Sequence, residues 1–287
     1  MKGGVIMTIQ EALKKGTIEL KTKGIEEPKM KARLLMQYIL NKPREYLVIY
    51  DKKELTKQEN VDYFENINKL IKGMPLQHIT HQQEFMKMNF YVDNNVLIPR
   101  ADTEILVEEV IKIAQKNNAK KILDMCTGSG AIAVSLAKYL PKAQITAVDI
   151  SEKALKIAKK NAKTNKVENQ ITFVVSNLFE NLQKEKYDII VSNPPYIKKE
   201  ELKTLDKEVK KEPMLALDGG IDGLDFYKAI IKQNDDYLKF DGYLCFEIGY
   251  NQKADVIELI KREDRYTDIC SKKDLFGNDR IVVAKRN

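Results

Sequence analysis

Residues 187–196 read YDIIVSNPPY, an apolar run that stops on Asn193-Pro194-Pro195-Tyr196. Ile189, Ile190 and Val191 have the uninterrupted character of a strand buried on both faces, as in a parallel sheet covered on two sides. Two consecutive prolines cannot continue a hydrogen-bonded ladder, so the chain leaves the sheet there by a stiff exit. The polar tetrapeptide therefore stands at the carboxyl end of a core strand, the edge of an open α/β sheet where ligands bind.

The chemistry of that exit suits alkylation of a planar nitrogen whose lone pair is conjugated into an amide or an aromatic ring. The Asn193 side-chain oxygen and the Pro194 carbonyl can accept both hydrogens of such an NH2 group, aim its lone pair at an electrophile and stabilise the positive charge that develops. Pro194 and Pro195 hold the acceptors rigid. Tyr196 offers a face on which a planar group can lie, away from water. Asn-Pro and Pro-Pro also make ordinary turns, so the assignment rests on what accompanies it in the chain.

Outward from this stretch, strands and helices alternate beyond residue 120. KILDM, QITAVD, ITFVVS, YDIIVS, GYLCFEI, YTDIC and RIVVAK read as strands, with helices near 130–139, 152–166, 222–239 and 251–263. Such alternation implies a mainly parallel sheet with helices on both faces. The first of these strands runs into Asp124-Met125-Cys126-Thr127-Gly128-Ser129-Gly130-Ala131 and then a helix. Gly128 and Gly130 let the backbone turn tightly and bring a ligand to the helix amino end, where free N–H groups favour a pyrophosphate or a carboxylate. The next strand ends on Asp149, placed to accept both hydroxyls of a ribose. These features suit a dinucleotide or S-adenosyl-L-methionine. Two details favour the methyl donor: Asp124 can anchor the loop and the donor's methionine end, and NPPY offers nitrogen acceptors with no hydride chemistry. The third strand ends at Ser176-Asn177-Leu178, where Asn177 can pair with an adenine edge and Leu178 can cover its face.

Residues 1–75 show helical spacing in three stripes: Ile9, Ala12 and Leu13, then Leu34, Leu35, Tyr38 and Ile39, then Val61, Phe64, Ile67, Leu70 and Ile71, the last preceded by Thr56 as a cap. A bundle this small is expected to grip a macromolecular partner or to pack on the main domain. Residues 76–99 change to an extended pattern, LQHIT, EFMKMNFYVD and NVLIPR, with a turn at Asp93-Asn94-Asn95, and read as a β-hairpin linker. The main domain then occupies residues 100–287, opening on a helix capped by Asp102 or Thr103 with Leu106, Val107, Val110 and Ile113 facing inward.

Composition narrows the function classes. Hydrophobic residues at 43% and charged ones at 32% fit a soluble globular protein, with no apolar run long enough for a membrane span and no signal-like stretch in MKGGVIMTIQ, so a cytoplasmic location is expected. Cys126, Cys245 and Cys270 stand singly and read as reduced, mostly buried thiols; His78 and His81 are too few for a zinc cluster or a histidine-driven triad. The net charge of +7 comes from lysines scattered along the chain rather than from one basic block.

ILDMCTGSGAIAVSLA, AVDIS and YDIIVSNPPYI, in that order, resemble class I S-adenosylmethionine-dependent methyltransferases that act on amide or exocyclic nitrogens. LIPRADTEILVEEV, KEPMLALDGGIDGLDFY and DLFGNDRIVV extend the resemblance over essentially the whole chain to the PrmC/HemK family, which methylates the glutamine N5 of the Gly-Gly-Gln motif in class I peptide chain release factors. The resemblance implies an α/β, Rossmann-like, seven-stranded class I methyltransferase sheet with its last strand antiparallel, joined by a β-hairpin to a small N-terminal helical bundle. It implies S-adenosyl-L-methionine as donor and S-adenosyl-L-homocysteine as product. Cys126, Thr127, Gly128, Ser129, Gly130, Asp149, Leu178 and Asn193 would line the donor site, and Asn193 to Tyr196 would hold the glutamine. A class I release factor is the expected partner, with neither a membrane nor direct binding of nucleic acid. Adenine N6 methylation and NAD-dependent hydride transfer are the alternatives that share parts of these motifs. The chain departs from the family at Cys126, where glycine is frequent, and at Asn177, where aspartate is frequent.

Overall fold

Apolar stripes at helical spacing build the first unit of the computed structural model, which describes residues 7–287. The opening residues read above for a signal stretch fall in part outside that range. The chain divides into two compact units, the first ending at His81 and taking in residues 206–211, the second comprising residues 82–205 and 212–287.

In the first unit, α1 (Ile9–Thr22), α2 (Pro28–Leu40), α3 (Arg44–Ile49) and α4 (Lys57–Ile71) pack around Ile9, Ala12, Leu20, Ala32, Leu35, Met36, Ile67 and Leu70. Thr56 caps α4 as its sequence position suggests, and Thr8 caps α1 by the same device. Each threonine hydroxyl accepts from a backbone N–H three residues on, while the glutamate there accepts from the threonine N–H. Two stripe residues are corrected by the structure: Tyr38 and Val61 are exposed, at the margins of their apolar faces. Tyr63 takes the buried place in α4, its hydroxyl on the Ala32 carbonyl. Lys31 and Glu208 form an ion pair at 2.6 Å within this unit.

LQHIT is not extended: α5 (Leu76–Thr80) is a single helical turn. Pro75 fixes the entry, its carbonyl accepts from the His78 and Ile79 N–H groups, and Leu76 and Ile79 are buried three residues apart. The hairpin that follows, β1 (Gln83–Phe85) and β2 (Met88–Phe90), turns at Met86 and Lys87 rather than at Asp93-Asn94-Asn95. Both turn residues take positive φ, 49° and 58°, without the Asn or Gly that usually marks such a turn. The Glu104 carboxylate accepts from the Met86 N–H and Tyr139 donates to the Met86 carbonyl, which holds the turn from outside. Asp93 does make a turn, by accepting from the Asn95 N–H, but no strands flank it.

The main sheet contains β3 (Lys121–Met125), β4 (Gln144–Asp149), β5 (Ile171–Val175), β6 (Tyr187–Ser192), β7 (Leu238–Glu247), β8 (Tyr266–Lys273) and β9 (Asp279–Arg286), in the spatial order β5-β4-β3-β6-β7-β9-β8. The pairs through β7 are parallel, and β9 runs antiparallel to both its neighbours. This is the seven-stranded α/β sheet with an antiparallel last strand.

Alternation along the strands feeds two cores. Ile122, Ile145, Ile189, Val191 and Cys245 meet α6 (Ala101–Asn117) and α7 (Ala131–Tyr139) on one face. Leu123, Met125, Ile190, Leu244 and Phe246 meet α9 (Asp225–Gln233) and α10 (Lys253–Lys261) on the other. Ile189, Ile190 and Val191 are fully buried, as a strand covered on both sides requires. α9 is shorter than the 222–239 span read from spacing, because the buried Asn234 amide turns back onto the Ile230 and Ile231 carbonyls and Leu238 already begins β7. Cys270, expected inside, is exposed on β8.

Successive strands run outward from β3 in one direction through β4 and β5, and in the other through β6. That reversal leaves a crevice at the carboxyl ends of β3 and β6, the place where such sheets bind ligands.

Candidate active site

The crevice is a cleft of about 1070 Å3 including its open mouth, enough for a nucleoside-sized molecule and part of a second reactant. Its walls include Cys126, Thr127, Gly128, Ser129, Asp149, Asn177, Leu178, Asn193 and Pro195, contributed by four strand ends. Asp124, Gly130, Pro194 and Tyr196 are not part of its lining.

The floor is the turn between β3 and α7. Gly128 and Gly130 have φ of 56° and 79°. A Cβ on Gly128 would meet nothing within 4 Å, whereas one on Gly130 would come within 2.9 Å of the Ala158 Cβ on α8 (Glu152–Thr164). The first glycine thus leaves bare backbone facing the cleft, and the second lets α7 approach α8. Cys126 also has positive φ, 63°, so the side chain that replaces glycine is carried in a left-handed backbone. Burial pushes its thiol well above the usual range and leaves it neutral.

Asp124 lies wholly buried beneath this turn. Its Oδ2 accepts from the Thr127 hydroxyl at 2.5 Å and from the Ala133 N–H at 3.1 Å, so it anchors the loop from below. Burial pushes its carboxyl up to about 7, against those two hydrogen bonds. Asp149 accepts from the Gly128 N–H at 2.8 Å and the Ser151 N–H at 2.9 Å, and burial raises it too. A carboxylate has about four acceptor positions, so two backbone donors leave it capacity for hydroxyl groups. Asn177 donates to Glu180 through Nδ2 at 2.8 Å. Its oxygen and one N–H are left for a ligand, so the amide keeps an acceptor where an aspartate would have one.

On the opposite wall, Asn193 follows β6 and donates through Nδ2 to the Thr103 hydroxyl at 3.2 Å. Thr103 is therefore no helix cap. α6 begins at Ala101 after Arg100, with Asp102 and Thr103 in its first turn, and Thr103 is buried. Glu247, at the end of β7, is buried beside Asn193, and Thr103 and Asn193 both favour its carboxylate form. With its nitrogen engaged this way, Asn193 has its oxygen available to the cleft. Tyr196 lies half-buried against the α9/α10 core, and its carbonyl accepts from the Gln252 amide at 3.0 Å.

Sequence spacing pointed to neither Glu247 nor Glu212. Glu212 is buried, accepts from the Ile98 N–H at 2.8 Å and pairs with Arg100. It thereby ties the wall formed by Leu97, Pro99 and Arg100 to the wall formed by Pro213, Leu215 and Ala216. Both stretches were visible in sequence as LIPRADTE and KEPMLALDGG, but only as motifs without a stated task.

Comparisons with known proteins identify the family. The family described as methyltransferase small domain matches residues 101–220, and that described as PrmC N-terminal domain matches residues 11–80. The release factor glutamine methyltransferase of Clostridium acetobutylicum is 39% identical over 98% of this chain and 99% of its own length. That of Fusobacterium nucleatum is 42% identical over 93% of this chain and 76% of its own. Among solved structures, the catalytic domain of hMettl16 superposes with a TM-score of 0.55 at 14% identity, covering 88% of this chain and 92% of that one. The ribosomal protein L11 methylase of Lactobacillus delbrueckii subsp. bulgaricus gives 0.50 at 22%, covering 68% and 84%. At such identity the structures share the fold.

Proposed function

Because this chain belongs to the family of release factor glutamine methyltransferases, we propose that it transfers a methyl group from S-adenosyl-L-methionine to the side-chain amide N5 of the glutamine in the Gly-Gly-Gln motif of class I peptide chain release factors. S-adenosyl-L-homocysteine is the other product. The observation that carries the reading is the Asn193 carboxamide, whose nitrogen is held by Thr103 while the side chain faces the cleft.

The cleft suits such a donor. Bare glycine backbone on the floor permits close approach, and a half-buried carboxylate with spare acceptor positions stands beside it. When bound, the donor supplies a methyl carbon activated by a neighbouring sulfonium. Asp149 accepts from the ribose hydroxyls, Leu178 covers the adenine and the Asn177 oxygen accepts from the adenine amino group. Cys126, Thr127, Gly128 and Ser129 would cradle the rest of the donor, with Gly130 shaping their turn and Asp124 fixing the loop from below. Asn193 Oδ1 accepts one hydrogen of the glutamine amide, and the Pro194 carbonyl, outside the cleft lining as it stands, would take the other once the substrate is seated, which would orient the nitrogen lone pair and stabilise charge on nitrogen. Pro195 keeps those acceptors in place. Tyr196 lies along the amide plane once the substrate is seated, and the first, helical unit grips the release factor.

Incubation with the donor and a purified class I release factor, followed by mass mapping, tests the proposal. One methyl on the glutamine of Gly-Gly-Gln is the expected result. Methyl transfer to nucleic acid with an unmodified release factor overturns it.

A further inference from the structure

We propose that Glu247 is a positioning residue for methyl transfer: it orders the hydrogens along the chain Glu247–Thr103–Asn193 so that the Asn193 oxygen, and not its NH2, meets the substrate amide. The inference rests on the functional reading above.

The geometry begins in the sheet register. Ser192 pairs with Phe246, so Asn193 and Glu247 are side by side as β6 and β7 end. Glu247 is 2% exposed and one of its oxygens, Oε2, is buried with no hydrogen-bond partner. A buried carboxyl oxygen left without a partner is costly, which calls for an explanation. Tyr227 donates to the Glu247 backbone carbonyl, and that bond needs no acidic side chain.

An ionised Glu247 can only accept. The Thr103 hydroxyl then donates to it, and the Thr103 oxygen accepts the Asn193 N–H, which is the direction of the 3.2 Å contact. Each bond polarises the next, so the Asn193 oxygen becomes a better partner for a nitrogen acquiring positive charge. A protonated Glu247 carries its own O–H and can donate to Thr103, which frees the Thr103 hydrogen to point at Asn193 and makes the flipped carboxamide equally satisfactory. Burial pushes Glu247 up to about 7, with Thr103, Arg280 and Asn193 favouring the carboxylate and Asp102 opposing it. Arg280 is itself held by Asp102 at 3.3 Å and Asp274 at 3.0 Å. The phenols of Tyr196 and Tyr227 face the same group, both neutral because burial raises them.

The test is steady-state methylation of a release factor by the wild type, Glu247→Gln and Thr103→Val, with donor affinity by calorimetry and melting curves alongside. In Glu247→Gln an amide can donate to Thr103, so kcat is expected to fall by about tenfold or more while KM and donor affinity hold within about twofold. The wild-type rise of kcat with pH through neutrality should disappear in the same variant. Thr103→Val should lose a similar factor, and the double variant little more, because the two act as one chain. Wild-type turnover and pH profile in Glu247→Gln, beside an active wild type, overturn the inference alone; so does full turnover in Thr103→Val. A wild type unable to methylate release factor overturns the functional reading and this inference with it. If Glu247→Gln melts far below the wild type, Thr103→Val and the wild-type pH profile still decide.

Discussion

The Asn193 amide nitrogen meets the Thr103 hydroxyl at 3.2 Å, which ties the exit of β6 to the first turn of α6. While the Thr103 hydroxyl acts as acceptor, the contact turns the carboxamide oxygen to the cleft, and the proposed chemistry depends on that choice.

Asp149 sits on the other wall with its backbone donors at Gly128 and Ser151. Asp149→Ala is expected to weaken donor binding by about 10- to 100-fold, the range for hydrogen bonds to a charged acceptor. Calorimetric titration with S-adenosylmethionine or S-adenosylhomocysteine checks this. An unchanged dissociation constant removes Asp149 from the donor site.

The two loop glycines should respond differently to the same substitution. Gly128→Ala has only its backbone conformation to overcome, about 1–2 kcal/mol, because its Cβ points into open space. Gly130→Ala bears that cost and a 2.9 Å approach to Ala158 as well, so it should be the less stable of the two by about 1 kcal/mol or more. Cys126→Gly relieves a left-handed residue and should stabilise, by up to about 1 kcal/mol after the lost packing of the thiol. Denaturant melts rank the three.

Two buried carboxyls give the stability a pH signature. Burial raises the carboxyls of Asp124 and Glu247 to about 7 in the folded state, from ordinary values near 4. The folded state therefore binds more protons than the unfolded state between those limits, so stability falls as pH rises from about 4 to about 7 and then levels off. Melting temperatures across that window should drop for the wild type. Asp124→Asn should flatten the slope, and an equally steep slope would mean that Asp124 ionises normally in the fold.

Glu212 offers a test of the cleft wall. Glu212→Ala leaves the buried Ile98 N–H without its acceptor and frees Arg100, at a cost of about 1–3 kcal/mol. Glu212→Gln keeps an acceptor for Ile98 while removing the charge that pairs with a half-exposed arginine, so it should be milder. Chemical denaturation of both variants measures the difference.

What could be read from sequence was what lies contiguous in it. NPPY, the GSG turn and the acid ending the next strand each combine a local backbone constraint with a functional group, so the mainly parallel sheet and the position of the cleft follow from short stretches. The Thr103–Asn193 and Glu247–Asn193 contacts join residues far apart in the chain, and no periodicity points to them. Thr103 looked like a cap because threonine before an apolar stripe usually is one; only the helix start at Ala101 shows it inside the first turn. The turn at Met86-Lys87 was missed because its left-handed residues carry no glycine or asparagine, its support coming from Glu104 and Tyr139. LQHIT misled because a single helical turn is too short to display a period.

The most direct measurement is the rate of methyl transfer by Asn193→Ala to a release factor, beside its affinity for the donor. Turnover should fall by about 100-fold or more, the loss that follows removal of one group aligned with developing charge, while the donor dissociation constant stays within about twofold. Turnover equal to the wild type would show that the carboxamide at the end of β6 does not orient the glutamine.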